Sequence, residues 1–201
     1  MNGNKEKDVR HQGERQFQPS PWLIRTARNA AEKASSTKEG SFFESLTAIL
    51  FSAFALEAYL NESLSRLLNR HTYEAVERLS FKKKIAFLRT ELGLPNNWGE
   101  APLKRLSSLV NIRNNWVHGK PEILTIDVIL PSGESLSSEH IDSDMETVCT
   151  PKEALAYVSS VEAFCDECFN SNPEKLSQLG MHAATVTIGS PVSMEDTSGD
   201  A

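Results

Sequence analysis

The residues best suited to chemistry in this chain are Arg113, Asn114 and His118. Asn114 and His118 stand four apart, so a helix carries them on one face, with Arg113 one step round. His118 directly precedes Gly119. That places an imidazole, which gives and takes protons near neutral pH, at a helix end. Alone, such a histidine reads as a capping residue. Beside a guanidinium and a carboxamide it reads as a proton-transfer group next to a fixed cation.

Arg113 is also a charge out of place. On its helix the apolar stripe runs Leu103, Leu106, Val110, then Arg113, then Val117. On an earlier long helix Phe43, Leu46, Leu50 and Ala53 lead to Glu57 before Leu60, Leu64 and Leu67 resume the spacing. An unpaired charge on a buried face is costly. Two of opposite sign, on the two most apolar helices, are expected to meet in the core, with ~3 kcal/mol or more lost when one is removed. The plain alternative is an ion pair that only sets helix register.

The elements that must hold these residues are helical. Ser20-Pro21 supplies a cap and a first-turn proline for a helix to about Ser36. Ser41-Phe42-Phe43-Glu44 has the form of a capping box and opens the long helix, which is expected to reach about Arg70. A third helix over 80–92 stops at Gly93 and Pro95, and a fourth starts near Pro102 and ends by Gly119-Lys120-Pro121. A fifth runs from Thr150-Pro151-Lys152-Glu153 to about Asn170. Residues 123–130 form the one strand-like run, closed by Pro131-Ser132-Gly133. The prediction is an all-α bundle of about five helices over 18–176, with a small β-hairpin or irregular insertion at 121–149. A flexible arm over 1–17 and a disordered acidic tail over 177–201 are expected to flank it.

A length of 201 residues fits one such domain, and three cysteines are too few for a disulfide scaffold. The longest apolar run, 47–56, is far short of the ~20 residues of a membrane span, and no charged-then-apolar signal opens the chain. The expected setting is the cytoplasm, with no membrane partner. The formal net charge of −6 hides a strong segregation. Residues 79–120 carry Lys82, Lys83, Lys84, Arg89, Lys104, Arg105, Arg113 and Lys120 against Glu91 and Glu100, whereas 121–201 carry 15 acids against Lys152 and Lys175. A local basic zone still attracts phosphate, because potentials are screened within about 10 Å. The alternative for these lysines and arginines is a solvated helix face.

Arg113-Asn114-Asn115-Trp116-Val117-His118 resembles the R-N-x-x-x-H motif of HEPN-domain proteins. Phe54-Ala55-Leu56-Glu57-Ala58-Tyr59-Leu60-Asn61-Glu62 resembles the glutamate-bearing stretch of their preceding long helix. The resemblance spans the helical body from about residue 20 to 172. It implies a HEPN-like bundle and, as for many of that family, an endoribonuclease without metal or other cofactor that dimerises to form its site. Such enzymes serve as toxins or in antiviral defence, with an antitoxin or regulatory protein as a second partner. It implies Arg113, Asn114 and His118 as the catalytic set, supported from behind by Glu57 and Asn61. Lys82, Lys83, Lys84, Lys104, Arg105 and Lys120 become candidate RNA contacts. Members without the motif bind a protein or nucleotide, so a non-catalytic dimeric module is the alternative.

The residues themselves bear on that chemistry. Cleaving RNA through its own 2′-OH needs a base for that proton, a cation for the crowded phosphate and an acid for the leaving 5′-oxygen. One His118 cannot stand on both sides of the phosphorus, whereas a two-fold dimer brings two to one cleft. Arg113 would hold the phosphate bidentately, Asn114 would orient a neighbour or the substrate, and Glu57 would fix Arg113. A second apolar row, Leu109, Ile112 and Trp116, which one bundle is not expected to bury together with the first, offers the dimer a surface. Cys165-Asp166-Glu167-Cys168 supplies two thiols, too few for zinc, so no metal site is expected. Trp98 and Trp116 are better read as packing than as base-stacking groups.

Overall fold

The computed structural model describes residues 17–119, 123–125 and 143–176. Lys120, the expected arm apart from Phe17, the strand-like run beyond Thr125 and the acidic tail lie outside the described residues. Residues 123–125 have no regular secondary structure. Among the described residues the protein is all-α. Its helices are α1 (Ser20–Ser36), α2 (Ser41–Leu67), α3 (Arg70–Val76), α4 (Phe81–Glu91), α5 (Leu103–Val117), α6 (Asp144–Val148), α7 (Pro151–Ser171) and α8 (Pro173–Leu176). The five long helices are those expected from the sequence, and α3, α6 and α8 are short additions.

Helix ends follow local chemistry, not always as anticipated. The box over Ser41–Glu44 does not form: Gly40, in the left-handed region at φ 76°, is the capping residue, and Ser41 is already helical. Glu44 pairs instead with Lys33 across the turn from α1. Ser20 likewise is not a cap, because Pro19 takes that position. α2 stops at Leu67, short of Arg70, since Leu68 is extended and Asn69 opens α3 by accepting hydrogen bonds from Thr72 N and Oγ1 at 3.0 and 3.1 Å. A true capping box, missed in the sequence, joins Ser143 and Glu146 at the start of α6. The Ser143 donors hold the Glu146 carboxyl below its usual range. α4 closes with Gly93 at φ 70°, Gly93 N donating to Thr90 O at 3.0 Å and Leu94 N to Arg89 O at 2.8 Å. α5 ends otherwise: Gly119 is not left-handed, and His118 itself is the cap.

α2 is the central helix, packed against α1, α4, α5 and α7. By length and composition alone it is apolar enough to cross a membrane, but half of that stretch is buried in the bundle. The stripe expected to face the core is only partly right: Ala53, Leu60 and Leu64 are buried, whereas Leu46, Leu50, Glu57 and Leu67 are half-buried and Phe43 is 69% exposed. α1 is the helix packed most extensively on α2, and both carry small buried side chains, Ala27, Ala30, Ala31 and Ala34 of α1 and Ser45, Ala48, Ser52 and Ala55 of α2. Helix axes approach most closely where side chains are smallest, which suits these residues to the α1–α2 contact. Tyr59 crosses to α7, its hydroxyl donating to the Cys165 carbonyl at 3.0 Å and its ring meeting Phe164 edge to face. Burial pushes the thiols up, Cys168 to about 12 and Cys149 to about 11, with Cys165 raised as well. They behave as small apolar groups.

Two polar anchors fix the periphery. The Arg89 side chain, 4% exposed, binds Glu167 of α7 through Nη1 and Nη2 at 2.6 and 3.1 Å. It also binds the Pro95 carbonyl through Nε and Nη2 at 2.9 and 2.6 Å. That clamps the segment after α4 onto α7. At the start of α1, Ser20 donates from N and Oγ to the Glu62 carboxylate at 3.0 and 2.5 Å. Desolvation outweighs those donors and raises the Glu62 carboxyl above its usual range.

Glu167→Ala leaves a nearly buried guanidinium with no carboxylate and only the Pro95 carbonyl as partner, so it is expected to cost ~3 kcal/mol in urea unfolding, and more than Arg89→Met, which removes the charge itself. Equal costs would show that pairing, not burial of the cation, sets the penalty. For Glu62, a raised folded value means the folded state keeps its proton to higher pH than the unfolded chain. Its contribution to stability is therefore present in acid and lost as pH rises from the ordinary carboxylate value through the raised one. Glu62→Gln should flatten the stability profile over that interval; a profile parallel to the wild type would mean Glu62 is not desolvated.

Candidate functional site

The site is built from the C-terminal half of α5 laid against the middle of α2. α5 is seated along its length: Leu103, Leu106, Leu109 and Val110 are buried. Arg105 pairs with Glu153 of α7 at 2.6 Å and stacks over the Tyr157 ring at 5.3 Å, and Ser108 hydrogen-bonds Tyr157 at 3.1 Å. Further along, Arg113 Nη2 donates to Glu57 Oε2 at 3.1 Å. The two charges do meet. They meet at the edge of the core rather than inside it, with side chains 27% and 35% exposed. α5 and α2 converge there without enclosing the pair, and the expected burial cost shrinks accordingly.

Asn114 completes the cluster by accepting from Arg113 Nη1 at 3.0 Å. The guanidinium is thus held at both ends, while its Nε is enclosed without a hydrogen-bond partner among the described residues. Each terminal nitrogen keeps a second proton that a phosphate oxygen can accept. His118 stands at the end of the same helix, its backbone N–H closing on the Asn114 carbonyl at 3.3 Å. Its side chain is exposed and makes no hydrogen bond or ion pair among the described residues. The arrangement is a cation fixed in orientation on α5, with an exposed imidazole at the end of the same helix whose ring has no partner among the described residues.

The other expected contacts divide. Lys82, Lys83 and Lys104 are exposed. Arg105 is occupied by Glu153 and Tyr157, so it is not a free surface cation. Lys84 departs furthest from a solvated helix start: it is 6% exposed, and its Nζ donates to Asn61 Oδ1 at 2.9 Å. Asn61, expected to support the site, lies one turn beyond Glu57 and holds Lys84, not a member of the Arg113 cluster. The second apolar row of α5 is no spare surface, because Leu109 is fully buried and Ile112 and Trp116 pack partly buried on the core. Val117 of the first stripe is exposed instead, at 52%. Trp98 also packs against the core. Among the described residues no three His, Cys, Asp or Glu side chains cluster as metal ligands.

Compared with protein-family models, with curated proteins and with solved structures, the chain matches none.

Because the Glu57–Arg113 pair is part-exposed, Glu57→Ala is expected to cost about 1 kcal/mol or less in thermal or urea unfolding, well under the cost of a buried pair. A loss near that of Glu167→Ala would mean the pair is sealed from water in solution.

Proposed function

We propose that the protein is a HEPN-type endoribonuclease that needs no metal and cleaves RNA by attack of its own 2′-OH. The observation that supports this best is Arg113 braced between Glu57 and Asn114, with the free imidazole of His118 at the end of the same helix. In this mechanism Arg113 binds the scissile phosphate and offsets the charge that builds on its oxygens. One imidazole takes the 2′-OH proton as the 2′-oxygen bonds to phosphorus. The bond from phosphorus to the 5′-oxygen then breaks, and a second imidazole protonates the leaving oxygen. The products carry a 2′,3′-cyclic phosphate and a 5′-hydroxyl. With one histidine per motif, the second comes from another copy of the chain, so the working form is a homodimer. The setting that goes with this activity is a cytoplasmic toxin or defence enzyme restrained by a regulatory protein.

A non-catalytic module of the same architecture is the second reading. What favours it is the exposed Val117 beside His118, a side chain suited to an interface.

Purified protein incubated with mixed RNA in EDTA is expected to cleave it and to leave DNA, which lacks the 2′-OH, intact. His118→Ala should abolish cleavage with an unchanged melting temperature, since the side chain is exposed. Robust cleavage by His118→Ala, or none by the wild type across diverse RNAs, would favour the module. Sedimentation should give about twice the 22.3 kDa of the chain; a monomer at micromolar concentration would remove the two-histidine mechanism.

A further inference from the structure

Lys84 poses a problem that the other nearly buried cation does not. Arg89, equally enclosed, meets a carboxylate and a carbonyl through several hydrogen bonds. Lys84, at 6% exposure, has one hydrogen bond, to the neutral carboxamide oxygen of Asn61. Among the described residues no carboxylate lies within ion-pair distance of it. A largely buried lysine without a counterion is costly, and among the described residues only Asn61 accepts from its ammonium, which has three protons to give. An anion supplied from outside would satisfy it.

The position of Lys84 indicates which anion. Asn61 follows Glu57 by four residues, so the two side chains share a face of α2, about 6 Å apart along its axis. Lys84 from α4 is tethered to one and Arg113 from α5 to the other. α4 and α5 each pack on α2 more than on one another, so this strip of α2 runs between them. The strip thus holds two cations, each fixed to a side chain on the same face of α2, and successive phosphates of a single strand are the repeated anions such a pair can take. The Glu57 charge beside them is already offset by Arg113.

We infer that Lys84 is a second phosphate-binding group, taking the phosphate next to the one held by Arg113 on a single RNA strand laid along the Glu57–Asn61 face of α2. The inference rests on the ribonuclease reading above and adds a subsite to it. A phosphate oxygen is a stronger acceptor for the ammonium than the Asn61 amide, and the four-carbon stem lets Lys84 turn toward it while staying packed. The subsite is indifferent to base identity, because it reads backbone alone.

The test is fluorescence-anisotropy binding of the full chain to a labelled 2′-O-methyl oligoribonucleotide, which keeps the phosphates but supplies no nucleophile, across a salt series. Lys84→Met is expected to bind several-fold more weakly and to lower the slope of log affinity against log salt by about 0.7, one single-strand phosphate. Asn61→Asp gives the ammonium an internal carboxylate. It should keep or raise the melting temperature while losing the same increment of slope, and it carries the test if Lys84→Met fails to fold. Unchanged affinity and slope in a folded variant, with the wild type binding normally, would overturn the subsite and leave the ribonuclease reading intact. A wild type that neither binds nor cleaves any RNA would overturn both.

Discussion

The close seating of α1 on α2 governs the rest of the molecule. Alanines on one helix and alanines and serines on the other remove the bulk that would keep the axes apart, and dispersion contacts along the seam reward the approach. The seam is fastened at both ends, by Ser20 on Glu62 and by Lys33 on Glu44. With that side of α2 taken, its larger side chains must serve α4, α5 and α7. Leu56, Leu60 and Leu64 disappear into the core, whereas Leu46, Leu50, Glu57 and Asn61 are left only half covered. The polar strip that carries the candidate site is what remains of α2 after its small-residue face has been used.

Three cations around this core show how burial and pairing trade against each other. Arg89 is removed from water and compensated fully, which makes it a strut between α4, the following segment and α7. Arg113 stays part-exposed, so its pair with Glu57 contributes orientation more than stability. Lys84 is removed from water and compensated least. A structural role accounts for Arg89 completely. It accounts for Arg113 and Lys84 only in part, and these two share one face of α2 through Glu57 and Asn61.

Precise placement of a reacting group needs a rigid root. α5 receives one from contacts spread along its length: Arg105 and Ser108 on α7, the leucines in the core, and Arg113 on α2. At its C-terminal end Val117 and His118 are exposed, and the imidazole has no hydrogen-bond partner among the described residues. In the proposed reaction the exposed imidazole would transfer protons at a phosphate held by the braced guanidinium, and Val117 is the apolar side chain a second copy would cover.

The sequence by itself determined the five long helices and which two charges pair. Proline, glycine and cap residues marked the long segments, because those signals act within a few residues. The interrupted stripes of α2 and α5 pointed to the Glu57–Arg113 pairing, but not to its place at the edge of the core, because much of both stripes is not buried. Only the tertiary structure decided which face of α2 was most buried, because the stripe of large residues hid the small-residue seam that sets how α1 packs. It alone separated Lys84 from its exposed neighbours Lys82 and Lys83, assigned Arg105 to Glu153, and put Arg89 and Glu167 together across 78 positions of chain. Those outcomes depend on which helices lie side by side, and periodicity along one helix carries no information about its neighbours. The capping box at Ser143 and Glu146 is a local signal too, and it starts a short helix inside a segment whose sequence otherwise reads as irregular.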